Sequence, residues 1–304
     1  MSSPVKLFAV TVNWMRGKDT LECISSLYDC GFDDIEIVVV DNGSKDGSVE
    51  AIAEAFPNVV LILNDSNLGY SKAANQGISL SMERGATHVL VINNDAVGSG
   101  DFAMKMMDAF DRHPRAGILG CKILYHATDR IWYAGGYYNK WVGYSKHNHM
   151  DEVDRNDLDE TTTDFVTGCV MLIRAETLKD VGLFDERLNI YCEDLDFCQR
   201  AFEKGWESWF VPTATVYHKV SLSTGVSGSN QMTPYRSYYY ARNMLLTACK
   251  NGKGIRRLTR FYGQFLVVLP YYFFFIAMNH SKGSFRKYIA GLFKGLKMQV
   301  DGKD

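Results

Sequence analysis

The 304 residues suffice for one large domain or two of ordinary size. With 46% hydrophobic and 22% charged residues and only six prolines, the chain is neither disordered nor collagen-like, and a mean hydropathy of −0.15 excludes a multi-span membrane protein. The net charge of −2 conceals an asymmetry: residues 234–304 hold 13 basic against two acidic side chains, a net of +11, while the first 233 hold 20 basic and 33 acidic, a net of −13.

In chain order, apolar runs rich in Val, Ile and Leu at 6–13, 35–40, 59–63 and 88–92 read as strands buried on both faces. Helical spacing of apolar residues follows each of them, at 20–28, 47–56, 71–84 and 101–112. This βαβαβαβα order predicts a Rossmann-like, mostly parallel sheet flanked by helices, with ligands at the carboxyl ends of its strands. Residues 126–162 read as a hairpin followed by a mobile acidic loop, 165–174 as a strand interrupted by Gly168, 194–204 as a helix stopped by Gly205, and 206–211 and 214–218 as short strands. From Pro234 onward the pattern is helical, basic and aromatic. The seven cysteines form no CxxC pair and Met1 to Lys6 lacks the charged-then-apolar order of a secretory signal, so a reducing cytoplasm is the expected setting.

The polar residues just past the strands carry the chemistry. The first strand leads into Asn13-Trp-Met-Arg-Gly-Lys18, which has no GxGxxG, so a dinucleotide-dependent dehydrogenase is disfavoured. Asp41-Asn42-Gly-Ser ends the second, where an acid can accept from a base imide or a ribose hydroxyl, or merely cap a helix. After the third come Asn67, Gly69, Lys72 and Asn75, with a glycine that lets backbone approach a ligand and a helix start that can offer amides to an anion. The fourth stops at Asn93-Asn94-Asp95, oxygen ligands suited to Mg²⁺ or Mn²⁺, although one acid is not a metal site. Glu193, Asp194 and Asp196 crowd a helix N-terminus, which the helix dipole favours but mutual repulsion opposes; a catalytic base with supporting acids is the sharper reading. His218 gains meaning as a ligand only if the fold brings it beside Asp95.

Taken together these blocks, with Gly168-Cys-Val-Met-Leu-Ile-Arg, Gly182-Leu-Phe-Asp-Glu and Tyr239-Tyr-Ala-Arg-Asn243, resemble the inverting family 2 glycosyltransferases of GT-A fold, and within them the rhamnosyltransferase-like branch that builds bacterial surface polysaccharides. The resemblance runs from about Val5 to Arg242. It implies that Asp41 contacts the donor's pyrimidine, that Asn13, Asn42, Asn67, Gly69, Lys72, Asn75, Asn93 and Asn94 belong to the donor site, and that Asp95 and His218 hold Mg²⁺ or Mn²⁺. It further implies that Asp194 is the base and that Glu193 and Asp196 shape the acceptor site. Asn93 stands where the family's Asp-X-Asp motif begins with Asp, which leaves Asp95 as the charged ligand.

The expectation is a GT-A catalytic domain over residues 1–232 and a basic, aromatic helical extension over 233–304. The implied reaction moves a sugar, foremost L-rhamnose from its dTDP donor, to a lipid-linked saccharide at the inner face of the plasma membrane. The alternatives are a UDP-linked donor (GlcNAc, galactose or galactofuranose), a sugar-nucleotide pyrophosphorylase, disfavoured by the single glycine in residues 13–18, and an inactive carbohydrate-binding protein. A homodimer is compatible with this reading. Residues 261–281 are uncharged; they read as a span of about 20 residues, as packed core, or as an interfacial element on an anionic membrane surface, the last favoured by Tyr and Phe between basic flanks. Nucleic acid is rejected as a partner because no nucleic-acid module accompanies the charge.

Overall fold

The apolar runs do pair into one sheet. The computed structural model describes residues 5–220, 232–250, 254–278 and 283–301. In chain order it contains β1 (Leu7–Asn13), α1 (Gly17–Tyr28), β2 (Glu36–Asp41), α2 (Ser48–Ala55), β3 (Val60–Leu63), α3 (Tyr70–Glu83), β4 (His88–Ile92), β5 (Ala96–Gly98), α4 (Phe102–Arg112) and β6 (Ala116–Tyr125). There follow β7 (Ile131–Tyr133), β8 (Gly136–Asn139), β9 (Tyr144–His147), β10 (Thr161–Thr162), β11 (Val170–Arg174), α5 (Ala175–Val181), α6 (Glu193–Glu203) and β12 (Glu207–His218). The C-terminal part holds α7 (Pro234–Lys250), α8 (Ile255–Gly263), a π-helical turn (Gln264–Val268), α9 (Leu269–Met278) and α10 (Ser284–Asp301).

The sheet runs β10-β12-β6-β11-β4-β1-β2-β3, with β5 paired to β12 and β7 to β6. Strands β4, β1, β2 and β3 are mutually parallel, β11 lies antiparallel between β4 and β6, and β12 is parallel to β6. Helix α3 lies close on β1 and β2 because Gly77 has no Cβ to meet the Val10 and Val40 side chains. The GT-A-type mixed α/β architecture expected from the sequence is what forms.

Three elements differ from the sequence reading. Strand β6 was not anticipated, since Gly117, Gly120 and Lys122 break its apolar run; the glycines admit Thr177, Trp206 and Val166, and buried Lys122 pairs with Asp154 at 2.6 Å and donates to Asn156. That pairing pins the acidic loop, which the composition alone presents as mobile. The two short strands before His218 are one, β12, with a register shift between Val211 and Thr215 near Pro212. The stretch before β11 is not strand: residues 165–169 turn into the cleft described below. All seven cysteines are buried and unpaired.

Candidate active site

A cleft of about 880 Å³ opens at the carboxyl ends of β1, β2 and β4. Its deepest polar feature depends on strand pairing. Strand β5 follows directly on Asn93-Asn94-Asp95 and pairs antiparallel with the end of β12, so that His218 stands opposite Ala96. Residues 123 positions apart thereby meet: His218 Nε2 lies 3.1 Å from Asp95 Oδ1, both buried. Burial opposes ionisation of Asp95, yet the His218 ring beside it holds its carboxyl below the usual range. His218 Nδ1 is buried and has no partner. The condition that would make His218 a ligand candidate is met.

Glu193 and Asp194 open α6 on the same cleft. The turn before them is bent through Asn189, Tyr191 and Cys192, all non-glycine residues at positive φ (63°, 69° and 68°). Asp194 accepts from the backbone N–H groups of Gly168 (2.8 Å) and Leu195 (2.7 Å). Glu193 is 5% exposed, and its Oε2 is buried without a partner. Burial first, and then the neighbouring Asp194 charge, push the Glu193 carboxyl up to about 8. Burial raises Asp194 as well, but its two amide donors favour the ionised form. The two amide donors make Asp194 the better seat for a negative charge and Glu193 the better seat for a proton, the division a general base with a neutral neighbour requires.

Of the sequence-derived candidates, Asn42, Asn67, Gly69, Asn93, Asn94, Asp95, Glu193, Asp194 and His218 line this cleft. Five do not. Asn13 and Asp41 lie beneath it: Asn13 Nδ2 donates to Asp41 Oδ2 (2.7 Å), Thr20 joins Asn13 to Asn94, and Asp41 also accepts from the Gly43 and Ser44 amides. Asp41, 2% exposed, holds the strand ends in place and does not line the cleft. Asn75 closes a loop, bonding the Phe184 backbone through both its amide atoms. Lys72 points to solvent from α3, and the Ser71 amide expected to be free for an anion donates to the Asn189 carbonyl. Asp196 lies off the cleft: it is fully buried and paired with Arg200 and Lys250, which neutralises the acid cluster. Arg200 also donates to the Val181 and Leu183 carbonyls and is structural.

Other cleft residues escaped the sequence reading. Trp132 packs edge-on to His218 at 4.5 Å and to His147 at 4.7 Å, and burial lowers His147 to about 4, so its ring is neutral. A second wall comes from the C-terminal helices: Tyr235, Arg236, Tyr239 and Tyr240 of α7, and Tyr271, Tyr272 and Phe275 of α9. The run of three tyrosines at 238–240 was the visible signal, but only packing shows which of them face the cleft. Helix α7 also braces the catalytic turn, for Asn243 Nδ2 donates to the Leu188, Ile190 and Tyr191 carbonyls and Arg242 to those of Arg187 and Leu188.

Comparison with known proteins agrees with this geometry. The profile of glycosyl transferase family 2 matches residues 9–182. The chain is 28% identical over 231 residues to the N-acetylglucosaminyl-diphospho-decaprenol L-rhamnosyltransferase of Mycobacterium tuberculosis, covering 68% of this chain and 73% of that protein. It is 28% identical over 218 residues to the dTDP-rhamnosyl transferase RfbF of Shigella flexneri, covering 71% of each. Among solved structures, GalNAc-T7 with UDP, GalNAc and Mn²⁺ superposes with a TM-score of 0.59 at 17% identity, over 86% of this chain and 55% of that one, which shows a common fold. With a strand-end cleft of this kind and a family match over more than half its length, the chain belongs to glycosyl transferase family 2 and is a glycosyltransferase.

Proposed function

We propose that the protein transfers L-rhamnose from dTDP-rhamnose, with inversion, to a hydroxyl of a lipid-linked saccharide at the inner face of the plasma membrane. The donor and acceptor classes rest on the names of the two rhamnosyltransferase relatives. The single observation that carries the chemistry is the amide-anchored Asp194 carboxylate in the cleft that also contains Asp95 and His218.

In this mechanism Asp194 takes the proton of the acceptor hydroxyl as its oxygen attacks the anomeric carbon. The new C–O bond forms while the bond from that carbon to the diphosphate oxygen breaks, and one displacement inverts the configuration. Protonated Glu193 keeps a second negative charge away from the attacking oxygen. Asn67 and Asn93 offer amide groups to the donor, Asn42 holds the Asn67–Gly69 loop through its own side-chain amide, and the buried Asn13–Asp41–Thr20 network keeps these strand ends in register.

The donor set at Asp95 and His218 fits a divalent cation, Mg²⁺ or Mn²⁺: a carboxylate oxygen and the imidazole Nε2 lie 3.1 Å apart at an opening to the cleft. No cluster of three or more His, Cys, Asp or Glu occurs among the described residues, so any further ligands would have to come from the donor's diphosphate and water. When bound, such an ion neutralises the charge growing on the departing diphosphate. We assign donor and base to residues 1–232, and the second wall and membrane face to residues 233–304.

The test is Asp194→Asn. Turnover of dTDP-rhamnose should fall about 10²–10⁴-fold while dTDP binding persists. A normal rate would remove Asp194 from the mechanism, and a thermal-shift screen of dTDP- and UDP-sugars decides the donor.

A further inference from the structure

The α7–α9 wall of the cleft carries a cation without a described counter-charge. Arg236 lines the cleft from the first turn of α7, and its guanidinium lies over the rings of Tyr191 (5.7 Å) and Tyr240 (5.6 Å). Its Nε is buried without a hydrogen-bond partner, and no ion pair joins it to a carboxylate among the described residues. Its neighbours are otherwise committed: Arg242 is taken up by two backbone carbonyls, and Arg260 donates to the Lys140 carbonyl. A guanidinium held by two aromatic faces, partly desolvated and unpaired, is preorganised for a phosphate group, whose oxygens match its fork of donors.

Two phosphate sources could reach the cleft, the donor's diphosphate and a phosphate on the acceptor. Arg236 makes its ring contacts away from Asp95 and His218, with the Tyr191 turn and α7, and Tyr240 in turn packs on Tyr272 of α9 at 5.7 Å, although the Arg236 charge also reaches His147, which His218 influences from the other side. Helix α9 continues the cleft wall through Tyr271, Tyr272 and Phe275, while Phe274 and Met278 of the same helix are exposed. Anion site, aromatic wall and apolar surface thus follow one another, which matches a molecule that carries a phosphate and then a long hydrocarbon chain.

We propose that Arg236 binds the phosphate nearest the sugar–lipid linkage of the acceptor, with the tyrosine wall guiding the apolar chain toward the exposed face of α9; this rests on the lipid-linked acceptor of the preceding section. The probes are farnesyl diphosphate, farnesol, and dTDP with Mn²⁺, titrated calorimetrically into the full-length wild type, Arg236→Gln and Arg236→Lys. Farnesyl diphosphate should bind about 10-fold or more weakly to Arg236→Gln and regain most of its affinity with Arg236→Lys. Farnesol should not distinguish the variants, dTDP should bind all three within about twofold, and the thermal midpoints should match. Equal binding of farnesyl diphosphate to wild type and Arg236→Gln overturns the proposal, as does a loss that falls on dTDP, which would assign the guanidinium to the donor. Rhamnosyl transfer by the wild type is scored separately: its absence refutes the rhamnosyltransferase reading, while the phosphate titration still judges Arg236.

Discussion

Two carboxyl groups adjacent in sequence are treated differently by what surrounds them. Glu193 is buried against the charge of Asp194, whereas Asp194 receives two backbone N–H groups. Activity should therefore rise with pH as Asp194 ionises, through an inflection above the ordinary carboxylate range, and Glu193→Gln, which mimics the protonated acid, should leave that inflection in place. Because the folded-state pKa of Glu193 is raised from 4.5 to about 8, the preference for folding it protonated is fully present below the unfolded value and is lost as pH rises through the folded one. Glu193→Gln should accordingly be more stable than wild type by a few kcal/mol at pH 9 and show no gain at pH 4, as measured by urea unfolding. A second residue-level prediction concerns the cation: EDTA should abolish transfer, Mg²⁺ or Mn²⁺ should restore it, and Asp95→Ala should lose affinity for dTDP in the presence of metal. An Asp95→Ala enzyme fully active in EDTA would remove the ion from the mechanism.

Among the elements, α7 decides whether the catalytic turn keeps its shape. The turn runs through three non-glycine residues at positive φ, a conformation that costs roughly 1–3 kcal/mol at each residue and persists only if its carbonyls are held. Asn243, fully buried, holds three of them at 2.7–2.8 Å. Asn243→Ala should cost about 1–3 kcal/mol of stability and lower kcat, with dTDP binding preserved because the donor side of the cleft is built on β1, β2 and β4. Weaker dTDP binding with an unchanged kcat would contradict that division. Helix α10 is seated on α7 by Gly291 and Gly295, where a Cβ would meet the backbone of Tyr238 and Arg242.

For the molecule as a whole, charge and apolar exposure fall on the same end. Ile255–Met278 form one helix long and apolar enough to cross a membrane by length and composition. Val268, Tyr272 and Ile276 turn inward, while Ile255, Leu258, Tyr262, Leu266, Phe274 and Met278 are exposed at mostly three- and four-residue spacing, Leu266 at 74% and Phe274 at 69%. Such a stripe beside exposed Arg256, Arg257, Arg286 and Lys287 has the composition of a surface that enters a bilayer interface. The wild type should sediment with vesicles containing anionic lipid, less so at high salt as the attraction is screened. The pair Leu266→Glu with Phe274→Glu, both at exposed positions, should stay folded and remain in the supernatant. Equal sedimentation of both proteins would show that the helix does not mediate attachment.

The sequence by itself determined the repeating strand–helix order, because apolar runs at strand and helix periods report burial on one face or two whatever their partners are. It also singled out Asp95, Glu193, Asp194 and Asn42, which line the cleft, since each follows a strand end or opens a helix. Tertiary structure decided the rest. Asp41, Asn75 and Asp196 are as polar in sequence as the cleft residues, and only their partners, Asn13, the Phe184 backbone, and Arg200 with Lys250, hold them away from the cleft lining. The meeting of His218 with Asp95 depends on the β5–β12 register, and the role of α7 depends on contacts across more than 50 residues. Local pattern reads the backbone period of a segment; which polar groups converge is set by pairing and packing between distant segments, and no window of sequence contains both partners.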